Sequence, residues 1–347
     1  MRLPHFDYRA PRTVREAVDL LAAAPDTTMI VAGGTDVLPN MKRRQQVPAT
    51  LVGLRRIEGL RSMTNGHALT IGAGTTIADI VRDDRVRRHY AGLWQAAAQI
   101  ATPHLRNMGT IGGNLCLDTR CNYYDQNYEW RKAIDFCMKK DDRARERGAL
   151  QVCWVATSSP RCLAVSSTDT APMLVALGAS VTLESANGSR ELPVAELYRN
   201  DGIHYLTRRP GELLVSVHVP PAAGWTSTYW KLRRRGSFDF PVLSVAAAVR
   251  LARDGAVDDA RIVLGAVASC PVAAADAARS LVGAPITDDA IARAAELAAV
   301  PARPMDNTDF ALVWRKRVTR DFVGYALREL RGDDMRSVRY RIARQLL

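Results

Sequence analysis

Four of the chain's six cysteines, Cys121, Cys137, Cys153 and Cys162, share one stretch, separated by 15, 15 and 8 residues. Thiolates are soft ligands, and four in one segment is the donor count of an iron–sulfur cluster or a structural zinc ion. None of them forms the Cys-x-x-Cys knuckle of a zinc ribbon, which counts against zinc. Tyr123, Tyr124, Trp130, Phe136 and Trp154 lie among them in sequence. Such aromatics suit a [4Fe–4S] cluster, whose potential depends on burial and on hydrogen bonds to sulfur. The competing reading is scattered core thiols, since free cysteine is commonly buried. Residues 117–163 lack helical or strand periodicity, which favours a ligand loop over a core segment.

The second chemistry-bearing feature is a pair of glycine turns. Met29, Ile30, Val31 and Ala32 form a short apolar run that ends in Gly33, Gly34, Thr35 and Asp36. The second turn, Thr110, Ile111, Gly112, Gly113 and Asn114, is glycine-dense and uncharged. Adjacent glycines let successive backbone N–H groups converge without a Cβ in the way, forming a nest for an anion. A pyrophosphate could lie between two such nests, its charge met by peptide donors. Two readings stand: paired anion nests, or simple tight turns at strand ends. Asp36 would repel phosphate unless its carboxylate is turned back onto local amides. Neither turn has G-x-G-x-x-G spacing, which argues against NAD bound by that route.

The elements that must position these residues are legible in outline. Thr13 and Glu16 make a capping box ahead of Val14, Ala17, Val18 and Leu21, so a helix starts there. With runs at 29–32 and 51–54, the first 55 or so residues alternate β-α-β-α-β. A glycine-containing strand at 68–75, a helix from 77, and another over 93–100 ending at Thr102-Pro103 follow. After the cysteine loop, a helix is expected at 171–177 and strands at 180–184 and 213–219. The stretch 220–224 reads as a linker. Beyond it, strands at 227–233, 242–251 and 260–267 precede helices at 272–281, 288–297 and 309–330, an α+β order.

Composition excludes several classes. With 347 residues, 47% of them hydrophobic and 24% charged, the chain is globular and too long for one ordinary core. No apolar run approaches the roughly 20 residues of a membrane span. The N-terminus lacks the apolar core of a secretion signal, so a cytoplasmic protein is expected. The net charge of +12 is spread along the chain without a stripe of interleaved aromatics, which argues against nucleic acid. A basic docking face for an acidic redox protein is the functional alternative.

Several stretches resemble a known family. IVAGGTDVLPNMK (residues 30–42) and TPHLRNMGTIGGNLC (102–116) are similar to the flavin-binding stretches of the FAD subunits of the xanthine dehydrogenase and carbon monoxide dehydrogenase family. YWKLRRRGSFDFPVLSVAAAV (229–249) and ARIVLGAVASCPVAAADA (260–277) resemble that family's C-terminal domain, and FDYRAPRTVREAVDLL (6–21) its opening. The cysteine loop, LDTRCNYYDQNYEWRKAIDFCMKK (117–140) with VCWV and SSPRCLAV, is similar to the cluster loop of the 4-hydroxybenzoyl-CoA reductase β subunit. A charged segment over 139–148 makes the gap between Cys137 and Cys153 longer than in that subunit, leaving Cys116 as a competing ligand.

The resemblance implies an α+β chain with a two-lobed vanillyl-alcohol-oxidase (PCMH)-type FAD-binding domain, residues 1–221. Its lobes would be about 1–56 and 57–221, with the cluster loop 117–163 inserted. A smaller α+β domain over 225–335 would follow. By motif, residues 29–36 and 110–114 would line FAD, and Thr102 would reach it. Asp169 in SSTDTAPML would contact the adenosine end, and Lys231 would lie near the isoalloxazine. The ordinary alternatives are a helix N-cap for Asp169 and a solvated strand lysine for Lys231. The four cysteines would hold [4Fe–4S], and no residue of this chain would act on an organic substrate. Electrons would pass from a ferredoxin-type carrier through cluster and FAD. They would continue through a [2Fe–2S] small subunit to a molybdopterin-binding large subunit, in a heterotrimer or a dimer of heterotrimers. Two alternatives are a related hydroxylase subunit with outward electron flow and a structural zinc-binding docking subunit.

Overall fold

The computed structural model describes residues 2–66, 68–140 and 152–344. The charged stretch 141–148 therefore lies outside the described residues. Strands β1 (Asp7–Arg9), β2 (Thr28–Val31) and β3 (Thr50–Gly53) form a parallel sheet in the order β1-β3-β2. Helices α1 (Val14–Ala23) and α2 (Val37–Lys42) are its crossovers. Thr13 caps the helix as expected, accepting from the Glu16 N–H at 3.1 Å, while the Glu16 carboxylate accepts from Arg12 N at 2.8 Å, one residue before the N–H of a standard capping box. Ala17, Val18 and Leu21 pack α1 onto Val52 and Leu213.

The second lobe is built on a five-stranded antiparallel sheet. Its strands are β4 (Met63–Asn65), β5 (Leu69–Gly72), β6 (Ser180–Ser185), β7 (Gly188–Pro193) and β8 (Leu213–Val219), in the order β4-β5-β8-β6-β7. Between β5 and β6 run α3 (Ile77–Arg82), α4 (Asp84–His89), α5 (Ala91–Ala98), α6 (Pro103–Arg106), α7 (Ile111–Leu115), α8 (Tyr128–Ala133) and α9 (Thr170–Ala176). Helix α8 is one that sequence periodicity missed. It is a short helix capped by Asn127, whose side chain accepts from Trp130 N at 2.8 Å.

Strands β9 (Trp225–Leu232), β10 (Leu243–Leu251), β11 (Val257–Gly265) and β12 (Val272–Ala273) make a four-stranded antiparallel sheet. Helices α10 (Ala275–Arg279), α11 (Asp288–Ala299), α12 (Leu312–Arg331) and α13 (Arg336–Ala343) complete the chain. The region expected to be one helix from 272 is instead β12 followed by the shorter α10. Alternate residues of this sheet enter different cores. Trp230, Val245, Ala247 and Leu264 face the C-terminal helices, and Tyr229, Ala246, Ala248 and Val263 face the second lobe. Burial on both faces explains the near-continuous apolar run of β10 and the apolar second half of β11. It also packs the C-terminal domain against the second lobe through one sheet. Among the described residues no helix is long and apolar enough to cross a membrane.

Candidate functional site

The two glycine turns meet backbone to backbone. A Cβ at Gly33 would lie 2.9 Å from Gly109 N and closer still to the Met108 carbonyl, so no other residue fits there. Gly34 has φ +73°, the left-handed conformation that glycine adopts without a steric cost. Gly112 sits against Ala73, where an added Cβ would be 2.8 Å from the alanine methyl. Beside these turns opens a cleft of about 2380 Å³ of atom-free space, part of it open to solvent. Met29, Ile30, Ala32, Gly33, Gly34, Thr35 and Asp36 line it, as do Thr110, Gly112, Gly113, Asn114 and Asp169.

The turns are not equivalent donors. Among the described residues, the N–H groups of Gly33, Gly34 and Thr35 have no acceptor. In α7, by contrast, Ile111 N donates to Thr75 O at 3.0 Å and Gly112 N to Ala73 O at 2.9 Å. Gly113 N donates to the capping Thr110 hydroxyl at 3.1 Å. Two nests were expected, and the structure leaves one open. These donors stand open at the cleft wall, where peptide N–H groups can bind an anion such as the pyrophosphate of a dinucleotide. The Asn114 amide oxygen accepts from the Thr168 hydroxyl at 2.8 Å and the Thr170 hydroxyl at 2.6 Å, fixing the far wall.

Asp36 does not turn back onto local amides. Its carboxylate bonds Arg120 and, at 3.0 Å, the Asn40 side chain. Burial raises the Asp36 carboxyl above its ordinary value, and Arg120 opposes that shift. Arg120 was not singled out by the sequence, and its only local signal is that it precedes Cys121.

Asp169 and Lys231 are brought together, and neither plays its ordinary alternative. Thr168, not Asp169, caps α9 with a side-chain bond to Ala171 N at 3.3 Å. The Asp169 carboxylate accepts from Lys231 Nζ at 3.0 Å and from the Tyr229 hydroxyl at 2.7 Å. Lys231 Nζ also donates to Gln99 O at 3.1 Å and is fully buried. Burial pushes the Asp169 carboxyl up and the Lys231 ammonium down, while each charge holds the other against that shift. Asp169 lines the cleft and Lys231 stands behind it. Val31 and Ile111 also stand behind the lining. The Thr102 hydroxyl caps α6, accepting from Leu105 N at 3.3 Å.

The four loop cysteines converge. Cys121, Cys137, Cys153 and Cys162 line one small cavity with Tyr123, Tyr124, Trp154 and Lys139, and no carboxylate or imidazole joins them. Among the described residues, no group of three or more His, Cys, Asp or Glu is arranged to hold a single metal ion. Burial pushes the Cys121 thiol up to about 12 and the Cys162 thiol to about 11, and raises that of Cys137. Cys116 lines the large cleft instead, and Cys270 is half-buried in the C-terminal domain rather than fully enclosed. Lys139 seals the floor of the cysteine cavity, donating to Asp118 Oδ1 at 2.7 Å and to the Thr119 hydroxyl and Gly202 O at 2.6 Å.

A two-lobed α+β domain with an open backbone nest above a large cleft, followed by a sheet-and-helix domain packed on it, defines a dinucleotide-binding flavoprotein. Residues 4–222 match the family described as FAD binding domain in molybdopterin dehydrogenase, and 227–330 that described as CO dehydrogenase flavoprotein C-terminal domain. The chain belongs to the FAD-binding subunits of the xanthine dehydrogenase and carbon monoxide dehydrogenase family, and is an oxidoreductase component. It is 33% identical over 90% of its length to 95% of the aldehyde oxidoreductase FAD-binding subunit PaoB of Escherichia coli. It is 28% identical over 86% of its length to 87% of the carbon monoxide dehydrogenase medium chain of Afipia carboxidovorans. The reconstituted carbon monoxide dehydrogenase from Oligotropha carboxidovorans superposes with TM-score 0.77 at 25% identity, covering 96% of this chain and 99% of that one. The FAD cofactor and the PCMH-type fold implied by the family resemblance are thereby established.

Proposed function

We propose that this chain is the flavin-carrying electron-transfer subunit of a molybdenum enzyme and that Cys121, Cys137, Cys153 and Cys162 hold a [4Fe–4S] cluster. The observation that carries the second part is the convergence of the four thiols on one aromatic-lined cavity free of carboxylates. A single tetrahedral zinc needs all its sulfurs about 2.3 Å from one centre, whereas a cluster spreads its thiolates over four iron atoms. When bound, FAD and cluster supply two-electron and one-electron redox chemistry. The chain's own residues do the rest: the open nest at Gly33–Thr35 binds the pyrophosphate, and the Asp169–Lys231–Tyr229 cluster sets the cleft wall. Tyr124 lines the cysteine cavity and Tyr205 the cleft, and each ring centroid lies within 5.5 Å of Lys139 Nζ.

The partners that follow are a molybdopterin-binding large subunit and a [2Fe–2S] small subunit in a cytoplasmic heterotrimer or dimer of heterotrimers. The cysteine loop favours a 4-hydroxybenzoyl-CoA reductase-like enzyme that draws electrons from a ferredoxin-type carrier. A second reading, outward electron flow from an aldehyde or similar substrate, is favoured by the relatives, whose names are those of dehydrogenases and an aldehyde oxidoreductase. Anaerobic purification with iron, sulfide, zinc and flavin analysis tests the cofactor set. About four irons and four sulfides per flavin are expected, and zinc without sulfide refutes the cluster. Rapid mixing of the assembled complex with reduced ferredoxin or with aldehyde separates the two directions of flow.

A further inference from the structure

Arg120 stands where several parts of the molecule meet. Val165 clamps its backbone from both sides: Arg120 N donates to Val165 O at 2.8 Å, and Val165 N donates to Arg120 O at 2.7 Å. Cys121, the next residue, lines the cysteine cavity, whereas the Arg120 side chain enters the flavin cleft. There its guanidinium bonds Asp36 of the open glycine turn and lies 3.5 Å from Asp125. It also stacks over the Phe240 ring, 4.2 Å from the centroid, on a loop of the C-terminal domain. Its Nε is buried and has no acceptor among the described residues.

A turn that receives a pyrophosphate through bare N–H groups should not carry an uncompensated carboxylate. Asp36 puts one there, beside the donors of Gly33, Gly34 and Thr35. In a partly buried site that charge is poorly screened, and a neighbouring phosphate would feel it directly. Arg120 is the cation in contact with it, and its planar fork suits a carboxylate. Asp125, the second carboxylate on Arg120, is itself bonded to Arg43, so the guanidinium is not drawn away from Asp36. Only the loop that bears the cysteines places Arg120 here, because its backbone position is set by the bridge to Val165.

We propose that Arg120 is a positioning residue for FAD: it neutralises Asp36, holds the Gly33–Thr35 turn in its anion-binding shape, and so makes the flavin site depend on the cysteine loop. The proposal rests on FAD lying against that turn, and it does not require the cysteines to carry a cluster.

The test uses the full chain as wild type, Arg120→Gln, and the charge-balanced double variant Asp36→Asn/Arg120→Gln. Bound FAD and its Kd are read by flavin fluorescence, with iron and sulfide assayed on the same samples. Arg120→Gln should bind FAD at least about tenfold more weakly, the factor equivalent to 1.4 kcal/mol. The double variant should recover most of that loss, which a purely packing role for Arg120 would not allow. Wild-type affinity in Arg120→Gln, or a double variant no better than the single one, overturns the proposal. A wild-type chain that binds no FAD overturns it together with the reading of the cleft. Wild type lacking iron and sulfide refutes only the cluster reading, and the FAD comparison still decides the role of Arg120.

Discussion

Replacing Gly33 by alanine tests the cleft most directly, because the clash is with backbone. The added Cβ would stand 2.9 Å from Gly109 N and nearer still to the Met108 carbonyl, atoms that cannot rotate aside. Ordinary van der Waals contact begins near 3.4 Å, so the Gly109 N contact alone requires the turns to part by about half an ångström, and the Met108 carbonyl by at least about twice that. Overpacking of this kind costs about 1–3 kcal/mol. The turns join the first lobe to the second only locally, so the strain is relieved by opening the flavin site and not by global unfolding. Expressed as lost FAD affinity, that range is about 5- to 150-fold. The assay is FAD content after purification, then titration of the apoprotein with FAD by fluorescence. Gly33→Ala should purify largely without flavin while its far-UV circular dichroism matches wild type. An alanine variant that retains stoichiometric flavin at wild-type affinity would show that the turns are not pressed together around the cofactor.

Lys231→Met removes one half of a buried ion pair and leaves Asp169 charged and enclosed. Such a loss costs about 3–5 kcal/mol, seen as a lowered thermal midpoint, and Asp169→Asn/Lys231→Met should recover part of it. Cys137→Ala should abolish cluster absorbance and sulfide content with FAD retained, while Cys116→Ala leaves sulfide unchanged; a cluster lost from the Cys116 variant would redraw the ligand set. Asp83 accepts from Arg85 N and Val86 N at the start of α4 and pairs with Arg85, which holds its carboxyl below the ordinary range. A depressed carboxyl contributes stability that is complete above the unfolded pKa of about 3.9 and is lost as pH falls through the lower folded value. Urea unfolding should therefore show wild type losing more stability than Asp83→Asn as pH drops from 6 toward 3, by about 1 kcal/mol; parallel pH profiles would refute the assignment.

Much of the site was readable along the chain because its signals are local. Gly33, Gly34 and Gly112 stand out because backbone approach or left-handed φ admits no Cβ, a constraint visible in residue type alone. The cysteine loop stands out because 117–163 breaks the periodicity of its surroundings. Strand β10 shows as an apolar run, since both its faces are buried. The partners of these residues are another matter. That Asp36 meets Arg120, that Lys231 lies behind Asp169, and that Cys116 faces the flavin cleft while Cys162 faces the cysteine cavity are contacts across long separations in sequence. So is the use of the α7 N–H groups by Ala73 and Thr75, which leaves a single open nest where two seemed available. Residue type determined which groups could bind an anion or a metal. Only the packing of lobe, loop and C-terminal sheet decided which donors stayed free, because a buried polar group takes whatever partner the fold brings within reach.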